Sequence, residues 1–416
     1  MKILFVSATL PPDGSATASV IRELMDYFQK KGHEVNGITI KKYITDPEVT
    51  MFGGATIYHA SYAGFRKRDW KSFNYFAFRK VFNWVDKMVS TEQTVYNEFL
   101  VRKLFRELKR IKAEDYDCII PVCASYDYAE AALRFSQCYK ANMVLYQVDP
   151  LLENKRLSYI NCKVRESFEK RLYKLSSAVV TTPIIYDIKQ RAGWSLYNVH
   201  KLELPLISNT EVKSEKKEFD PVIICVYAGF LYDDIRDATF TLELFSNIED
   251  PNLKLFILGM GQEEKLKKYA EGKLKGRLIR LGQLPETDCN KWLSKADVLV
   301  NIGNSVTNQI PSKLFTYINF GKPILNISKS RECPTIKYLQ KYPLSITVFE
   351  DAQDIYATAE VVDKRIHDYV NKSIEHSEIV RSYKECTTNY VGEQFLNIIE
   401  QTRRDEELSQ KNQITF

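Results

Sequence analysis

Histidine is scarce in this 416-residue chain, with five, at 33, 59, 200, 367 and 376. None clusters in sequence with the eight cysteines, and no two cysteines form a C-x-x-C pair, so no zinc signature is present and no metal is expected. Thiols scattered this way in a long chain read as reduced core residues in a reducing compartment. No run of 18 apolar residues occurs, which excludes the ordinary signal of a transmembrane helix. The apolar run Ile3–Val6 is too short for a signal-peptide core and reads as a buried first strand. Charge of either sign is not in excess: 59 basic minus 53 acidic side chains gives +6, too mild for the basic footprint of a nucleic-acid binder. A three-glycine dinucleotide fingerprint is missing from both halves, which disfavours a dehydrogenase. What remains is ordinary for a globular protein, at 44% hydrophobic and 27% charged. The length suggests two or three domains and suffices for two cores without staples.

Strand and helix patterns alternate along the chain. Ile3–Val6 is followed by a loop, Ala8 to Ala16, a helix over roughly 17–31 closed by Gly32, and a strand from His33 to Ile40. A helical stretch at 92–112 precedes a strand at Cys118 to Val122. Helices at about 127–138 and 161–175 precede strands at Met143 to Val148 and Ala178 to Thr181, and Val199 to Leu204 is a further short run. Residues 205–221, charged and without apolar period, read as a linker. The alternation then restarts with strands at Ile223 to Ala228, Lys254 to Leu258, Leu278 to Leu281, Val298 to Ile302 and Pro323 to Ile327. Between them lie helices at about 237–247, 262–271, 286–295 and 311–320. The expectation is an α/β protein of two Rossmann-like, doubly wound domains facing a cleft. The first spans 1–205, with a C-terminal helix at about 385–416 packing back on it, and the second 206–384.

One segment stands apart. Residues 62–112 carry 13 Lys/Arg against 5 Asp/Glu, interleaved with Phe65, Trp70, Phe73, Tyr75, Phe76, Phe78, Phe82 and Trp84. Three readings fit: a helical insertion whose aromatics are core, a membrane-surface contact, or stacking on single-stranded nucleic acid.

The segment Asn304–Pro323 carries the most chemistry. Pro311 suits the first helical position, where its missing N–H costs nothing. That places a helix N-terminus just after the strand Val298–Ile302, where free amides and the helix dipole favour an anion. Lys313, in the first turn, is unfavourable beside the positive end of a dipole unless an anion is bound there. Thr316 lies one turn on, on the same face, within reach of a ribose. Gly229 ends the strand 223–228 and lets a ligand approach the backbone, and Arg236, beyond an acidic loop, offers a forked grip on a diphosphate. Gly259 and Gly261 form a glycine pair after a strand, a weak signal alone and a candidate place for the donor. In the first half, the Gly14-Ser15-Ala16 loop is the matching small-residue turn.

Taken in order, these pieces resemble the family 4 glycosyltransferases of GT-B fold. They are P-P-D-G-S-A at 11–16, G-H-E-V at 32–35, Y-A-G-F-L with Arg236, L-G-M-G, L-G-Q-L-P-E at 281–286, K-A-D-V-L-V at 295–300 and P-S-K-L-F-T-Y-I-N-F-G-K-P at 311–323. The resemblance covers nearly the whole chain and is best in the second half. It implies a retaining hexosyltransferase of the polysaccharide-assembly type, with a nucleotide-sugar donor in the second domain and a glycan or polyprenyl-linked acceptor in the first. It implies no cofactor beyond that co-substrate and no obligatory metal. By position, Arg236 and Lys313 hold the diphosphate and Gly14 and Ser15 face it. The backbone from Leu281 to Leu284 receives the base, Asn308, Gln309 and Ile310 touch the donor sugar, and Thr316 lies near the ribose. Asn308 and Thr316 stand where the family commonly has two glutamates, so both positions keep a hydrogen-bonding group and lose a charge. Acceptor contacts are expected from Ser125 and Asp127 after the strand 118–122, with a helix cap or turn as the other reading of Asp127, and Asp149, which matches an acidic position of related enzymes, is a candidate catalytic residue. Asp115-Tyr116-Asp117 spells D-x-D but precedes a strand, at the wrong sheet edge for a metal site, and reads as a turn. The implied setting is cytoplasmic, with a membrane contact through 62–112 and no nucleic-acid partner. The rival readings are a non-catalytic transferase-like scaffold and a nucleotide-sugar epimerase.

Overall fold

A computed structural model describes residues 1–41, 45–61, 95–123, 125–152, 161–212, 221–305 and 310–414. The chain divides into two units: Met1–Pro205 with Thr388–Phe416, and Leu206–Thr387.

The first unit grows from β1 (Lys2–Val6), whose Ile3, Leu4, Phe5 and Val6 are fully buried. Such continuous apolar runs belong to parallel strands covered on both faces. Helix α1 (Ala16–Lys30) starts at Ser15, whose Oγ accepts the Ala18 N–H at 3.2 Å. It buries Val20, Ile21, Leu24 and Phe28, the stripe that a 3.6-residue period requires. The unit's other strands are β2 (Glu34–Ile40), β3 (Val49–Phe52), β4 (Ala55–Ala60), β5 (Cys118–Pro121), β6 (Val144–Gln147), β7 (Ala178–Thr181) and β8 (Val199–Lys201). Five of them run in the order β3-β4-β2-β1-β5, and β6-β7-β8 continue beyond β5 through the parallel bridges Ile119–Met143 and Val122–Tyr146. Pairing is parallel except between β3 and β4, an antiparallel edge hairpin that the apolar-run pattern did not signal. The helices are α2 (Glu98–Arg110), α3 (Tyr126–Tyr139), α4 (Cys162–Leu175) and α5 (Pro183–Arg191).

The second unit has a six-stranded, all-parallel sheet in the order β11-β10-β9-β12-β13-β14. Its strands are β9 (Ile223–Ala228), β10 (Leu253–Leu258), β11 (Leu278–Gly282), β12 (Val298–Ile302), β13 (Ile324–Ser328) and β14 (Ser345–Phe349). This is the doubly wound order, and its direction reverses between β9 and β12. Its helices are α6 (Thr239–Ser246), α7 (Glu263–Glu271), α8 (Glu286–Lys295), α9 (Lys313–Asn319), α10 (Thr335–Leu339), α11 (Ile355–Tyr369) and α12 (His376–Ser382). The last strand and α10 and α11 lie beyond the alternation that the sequence pattern reached.

One boundary differs from expectation. The expected linker is not loose at its start: Ile207 is fully buried, Leu206 and Ile207 donate N–H bonds to the Cys386 carbonyl, and the Asn319 side chain clasps Leu206 and Ser208. The chain returns to the first unit between Thr387 and Thr388, close to the expected position near 385, so α12 packs with the second unit and α13 (Thr388–Ile414) with the first. There Phe395 meets Phe28 and Tyr146 edge-on, with centroids at 6.1 and 5.1 Å, and the Asn142 side chain donates to the Thr402 hydroxyl. No helix among the described residues is long and apolar enough to cross a membrane. All eight cysteines are unbridged.

Candidate functional site

In an open parallel sheet, ligands bind beyond the carboxyl ends of the strands, where the winding reverses. In the second unit that point is flanked by the loops after β9 and β12, whose described residues are tightly bonded. The turn after β9 closes by reciprocal backbone bonds between Tyr232 and Arg236, at 3.1 and 2.8 Å. The loop after β12 is stitched to it, since the Ser305 N–H donates to the Ile235 carbonyl and its hydroxyl to the Asp234 carbonyl, each at 2.8 Å. Asn304, itself buried, accepts from Arg236 Nε at 3.1 Å and Nη2 at 2.7 Å through its single Oδ1. The guanidinium is therefore fixed along one edge, and its Nη1 lies on the side of Gly229 and the Tyr227 hydroxyl. Burial pushes the Tyr227 hydroxyl up in pKa, and the adjacent Arg236 cation resists that shift.

Lys313 opens α9, with Ser312 as its cap. Pro311 therefore stands one residue before the cap, not at the first helical position. A tight preceding turn takes up the amides that were expected to be free: Leu314 N–H donates to the Pro311 carbonyl, and Phe315 and Thr316 N–H donate to Ser312. The seven-residue helix thus offers an anion few bare N–H groups, and the positive charge comes mainly from the Lys313 and Arg236 side chains. Lys313 acts on the Cys289 thiol, opposing the rise that burial gives it. Tyr317, one turn further along α9, hydrogen-bonds to the Ala228 N–H at 2.8 Å and feels both Cys289 and Arg236. Arg236 therefore acts directly on the buried Tyr317, whereas Lys313 acts on Cys289. Thr316 and Ile310 are half-buried near the start of α9, whereas Asn308 and Gln309 lie outside the described residues.

The glycine pair after β10 has a structural cause. The loop beyond β9 pairs with it through Gly229 N–H to Leu258 and Leu231 N–H to Met260. A Cβ on Gly259 would overlap the Gly229 carbonyl oxygen, and one on Gly261 that of Leu231. Both glycines also have positive φ, +144° and +105°. They therefore shape the floor beneath Gly229. Leu284, half-buried, lies just beyond β11 and packs against the core shared by β9 and α9.

The first unit's winding reverses between β1 and β5. Gly14 and Ser15 follow β1; Gly14 is exposed, and Ser15 caps α1 while its N–H donates to the Asp13 carboxylate at 2.8 Å. Ser125 and Asp127 follow β5, and both are engaged in capping. Ser125 caps α3 and donates to Asp127 Oδ2 at 2.6 Å, and Asp127 Oδ1 takes the Asn97 N–H ahead of α2 at 2.6 Å. Burial raises the Asp127 pKa against the lowering effect of those bonds. Asp149 follows β6 in a turn whose carbonyl receives the Gln147 side chain and the Leu151 N–H. The Arg165 guanidinium, also buried, donates to the carbonyls of Leu151 and Leu152 and so anchors the same turn. The D-x-D motif is structural: Asp115 ends a 3-10 turn, and Asp117 binds the Lys2 N–H at 2.7 Å and pairs with Arg403.

Most of the basic, aromatic stretch, 62–94, lies outside the described residues. In its described end the aromatics are partly core, with Phe105 against Phe135 and Tyr139 and Tyr96 against Phe168. Several of its cations are paired there: Arg102 with Glu98, and Lys103 and Arg110 with Glu107.

Sequence reasoning singled out Arg236, Lys313 and Gly229 and passed over Asn304, Tyr227 and Tyr317, whose contacts depend on partners up to 89 residues away.

No protein-family model matches the chain, and no curated protein matches it in sequence. Solved structures do. Sucrose-phosphate synthase from Thermosynechococcus elongatus is 13% identical, with a TM-score of 0.66 over 96% of this chain and 98% of that one. Anabaena HepE, solved in complex with UDP, is 10% identical with a TM-score of 0.62 over 96% and 100%. The lipopolysaccharide outer core galactosyltransferase WaaB is 14% identical with a TM-score of 0.55 over 96% and 99%. With its two Rossmann-like domains, the chain has the fold of the GT-B glycosyltransferases.

Proposed function

We propose that the chain is a retaining glycosyltransferase that moves a hexose from a nucleoside-diphosphate sugar to a glycan or polyprenyl-linked acceptor in surface-polysaccharide synthesis. The observation that carries this reading is the forked cation of Arg236, fixed at the switch point of the second sheet beside the helix that bears Lys313. The likeness to HepE, solved with UDP, supports a nucleotide there. Glycosyl transfer with a diphosphate leaving group asks for stabilisation of the negative charge that grows on the departing phosphate. Arg236 and Lys313 supply it. Gly229 lets the phosphates approach the backbone, Leu284 borders the base, and Thr316 with the 308–310 loop meets the ribose and sugar. In a retaining reaction the departing phosphate oxygen takes the acceptor's proton, so no separate general base is needed. The acceptor belongs to the first unit, at the strand ends that carry Gly14, Ser15, Ser125, Asp127 and Asp149.

The test is incubation of the full chain with UDP-, GDP-, ADP-, dTDP- and CDP-sugars, with and without a polyprenyl-linked acceptor. Release of the nucleoside diphosphate that rises with acceptor is expected. A scaffold would bind no nucleotide, and an epimerase would convert the donor sugar with no acceptor present; either result overturns the reading.

The proposal places the enzyme in the cytoplasm against a membrane, through 62–94, which holds seven Lys/Arg against three Asp/Glu among nine aromatics. Sedimentation with vesicles containing phosphatidylglycerol is expected at low salt and should weaken as salt rises. Equal recovery with neutral vesicles would contradict the contact.

A further inference from the structure

We infer that Asn304 is a positioning residue that orients Arg236 for the donor diphosphate while leaving the guanidinium's charge uncancelled; the inference rests on the donor reading above. Arg236 Nε and Nη2 both bond to one neutral oxygen, Asn304 Oδ1, at 3.1 and 2.7 Å. An arginine held along one edge usually meets a carboxylate, which matches its fork and is stronger. Aspartate here would keep the shape and tighten the grip, but it would convert the cation into half of an ion pair. A carboxamide fixes direction and leaves a full positive charge on the Nη1 edge, which lies beside the neutral Tyr227 hydroxyl on the Gly229 side. The surroundings keep the geometry rigid. Asn304 is buried, its neighbour Ser305 is bonded to Asp234 and Ile235, and the Arg236 backbone is locked to Tyr232. Fixing the cation before the ligand arrives removes an ordering cost that a free arginine would bear on binding.

The experiment titrates UDP, GDP, ADP, dTDP and CDP into the full-length chain by calorimetry. It compares the wild type with Asn304→Asp, Asn304→Ala and Arg236→Ala, for the nucleotide that the wild type binds best, at two salt concentrations. Asn304→Asp is expected to weaken binding at least about tenfold and to flatten its salt dependence, because an anion now sits beside the cation. Asn304→Ala is expected to weaken binding while keeping the wild-type salt slope, since charge is retained and only direction is lost. Should Asn304→Ala unfold, Asn304→Ser, a shorter neutral acceptor, takes its place. Near-wild-type affinity in Asn304→Asp, with Arg236→Ala impaired, overturns the inference and leaves a purely structural asparagine. If the wild type binds no nucleotide, or Arg236→Ala binds as well as the wild type, the donor reading itself fails.

Discussion

Arg236→Ala and Lys313→Ala should each lower the rate of glycosyl transfer by about 10²–10³-fold, the range seen when one preorganised charge-stabilising donor is removed from an active site. Either loss should leave folding intact. Both side chains are half-buried at the rim of the sheet, outside the packed core formed by Val226, Leu299, Leu314 and Ile318. The two positions should differ under conservative exchange. Arg236→Lys keeps the charge but cannot offer two edges at once, one to Asn304 and one to phosphate, so it should recover little activity. Lys313→Arg keeps a cation at the first residue of a helix and should recover more. Steady-state rates with thermal unfolding as the folding control make the comparison. Full activity in either alanine variant with folding unchanged would refute the assigned role.

Lys189→Met should destabilise the first unit by about 3–5 kcal/mol, the usual cost of leaving one partner of a buried ion pair uncompensated. Lys189 Nζ meets Glu169 Oε2 at 2.7 Å with both side chains 1% exposed. The Tyr126 hydroxyl donates to the other carboxylate oxygen at 2.6 Å, and the Trp194 ring lies 4.3 Å from the ammonium. The network ties α3, α4 and α5 together behind the ends of β5 and β6, where Glu169, Lys189 and Asp149 all act on the Cys123 thiol. Removing the lysine leaves a buried carboxylate facing an aromatic ring. The double variant Lys189→Met with Glu169→Leu should regain most of the loss, because an apolar pair of similar volume avoids the cost of burying two charges. Chemical unfolding of the three proteins measures both effects. Equal stability of Lys189→Met and the wild type would show that the pair is not what holds these helices.

The contrast between these two sites shows what a single sequence makes legible. The central strands β7, β9 and β12 were read at their observed bounds, because strands covered on both faces are continuous apolar runs. The edge hairpin β3–β4 escaped because a half-exposed strand such as Val49–Phe52 mixes polar and apolar side chains over only four residues. Arg236 and Lys313 were singled out because a cation after a strand, or at a helix start, is locally odd. Asn304 was not, since nothing near it in sequence shows that Arg236, 68 residues earlier, will lie against it. The glycines of L-G-M-G were read as a place for a ligand, yet their need for space comes from the backbone of the neighbouring loop. Ser125 and Asp127 sit after a strand, where an acceptor contact and a helix cap look alike in sequence; the structure shows the caps they form. Local chemistry can be read from the chain; the partner that fixes it in place depends on tertiary packing.

A crystal structure of the full chain with the nucleoside diphosphate selected by titration tests the central claim most directly. Phosphate oxygens are expected within hydrogen-bonding distance of the Arg236 guanidinium and of Lys313 Nζ, with Asn304 still bonded to the far edge of the arginine. A diphosphate bound elsewhere on the chain, with neither cation touching it, would contradict the account.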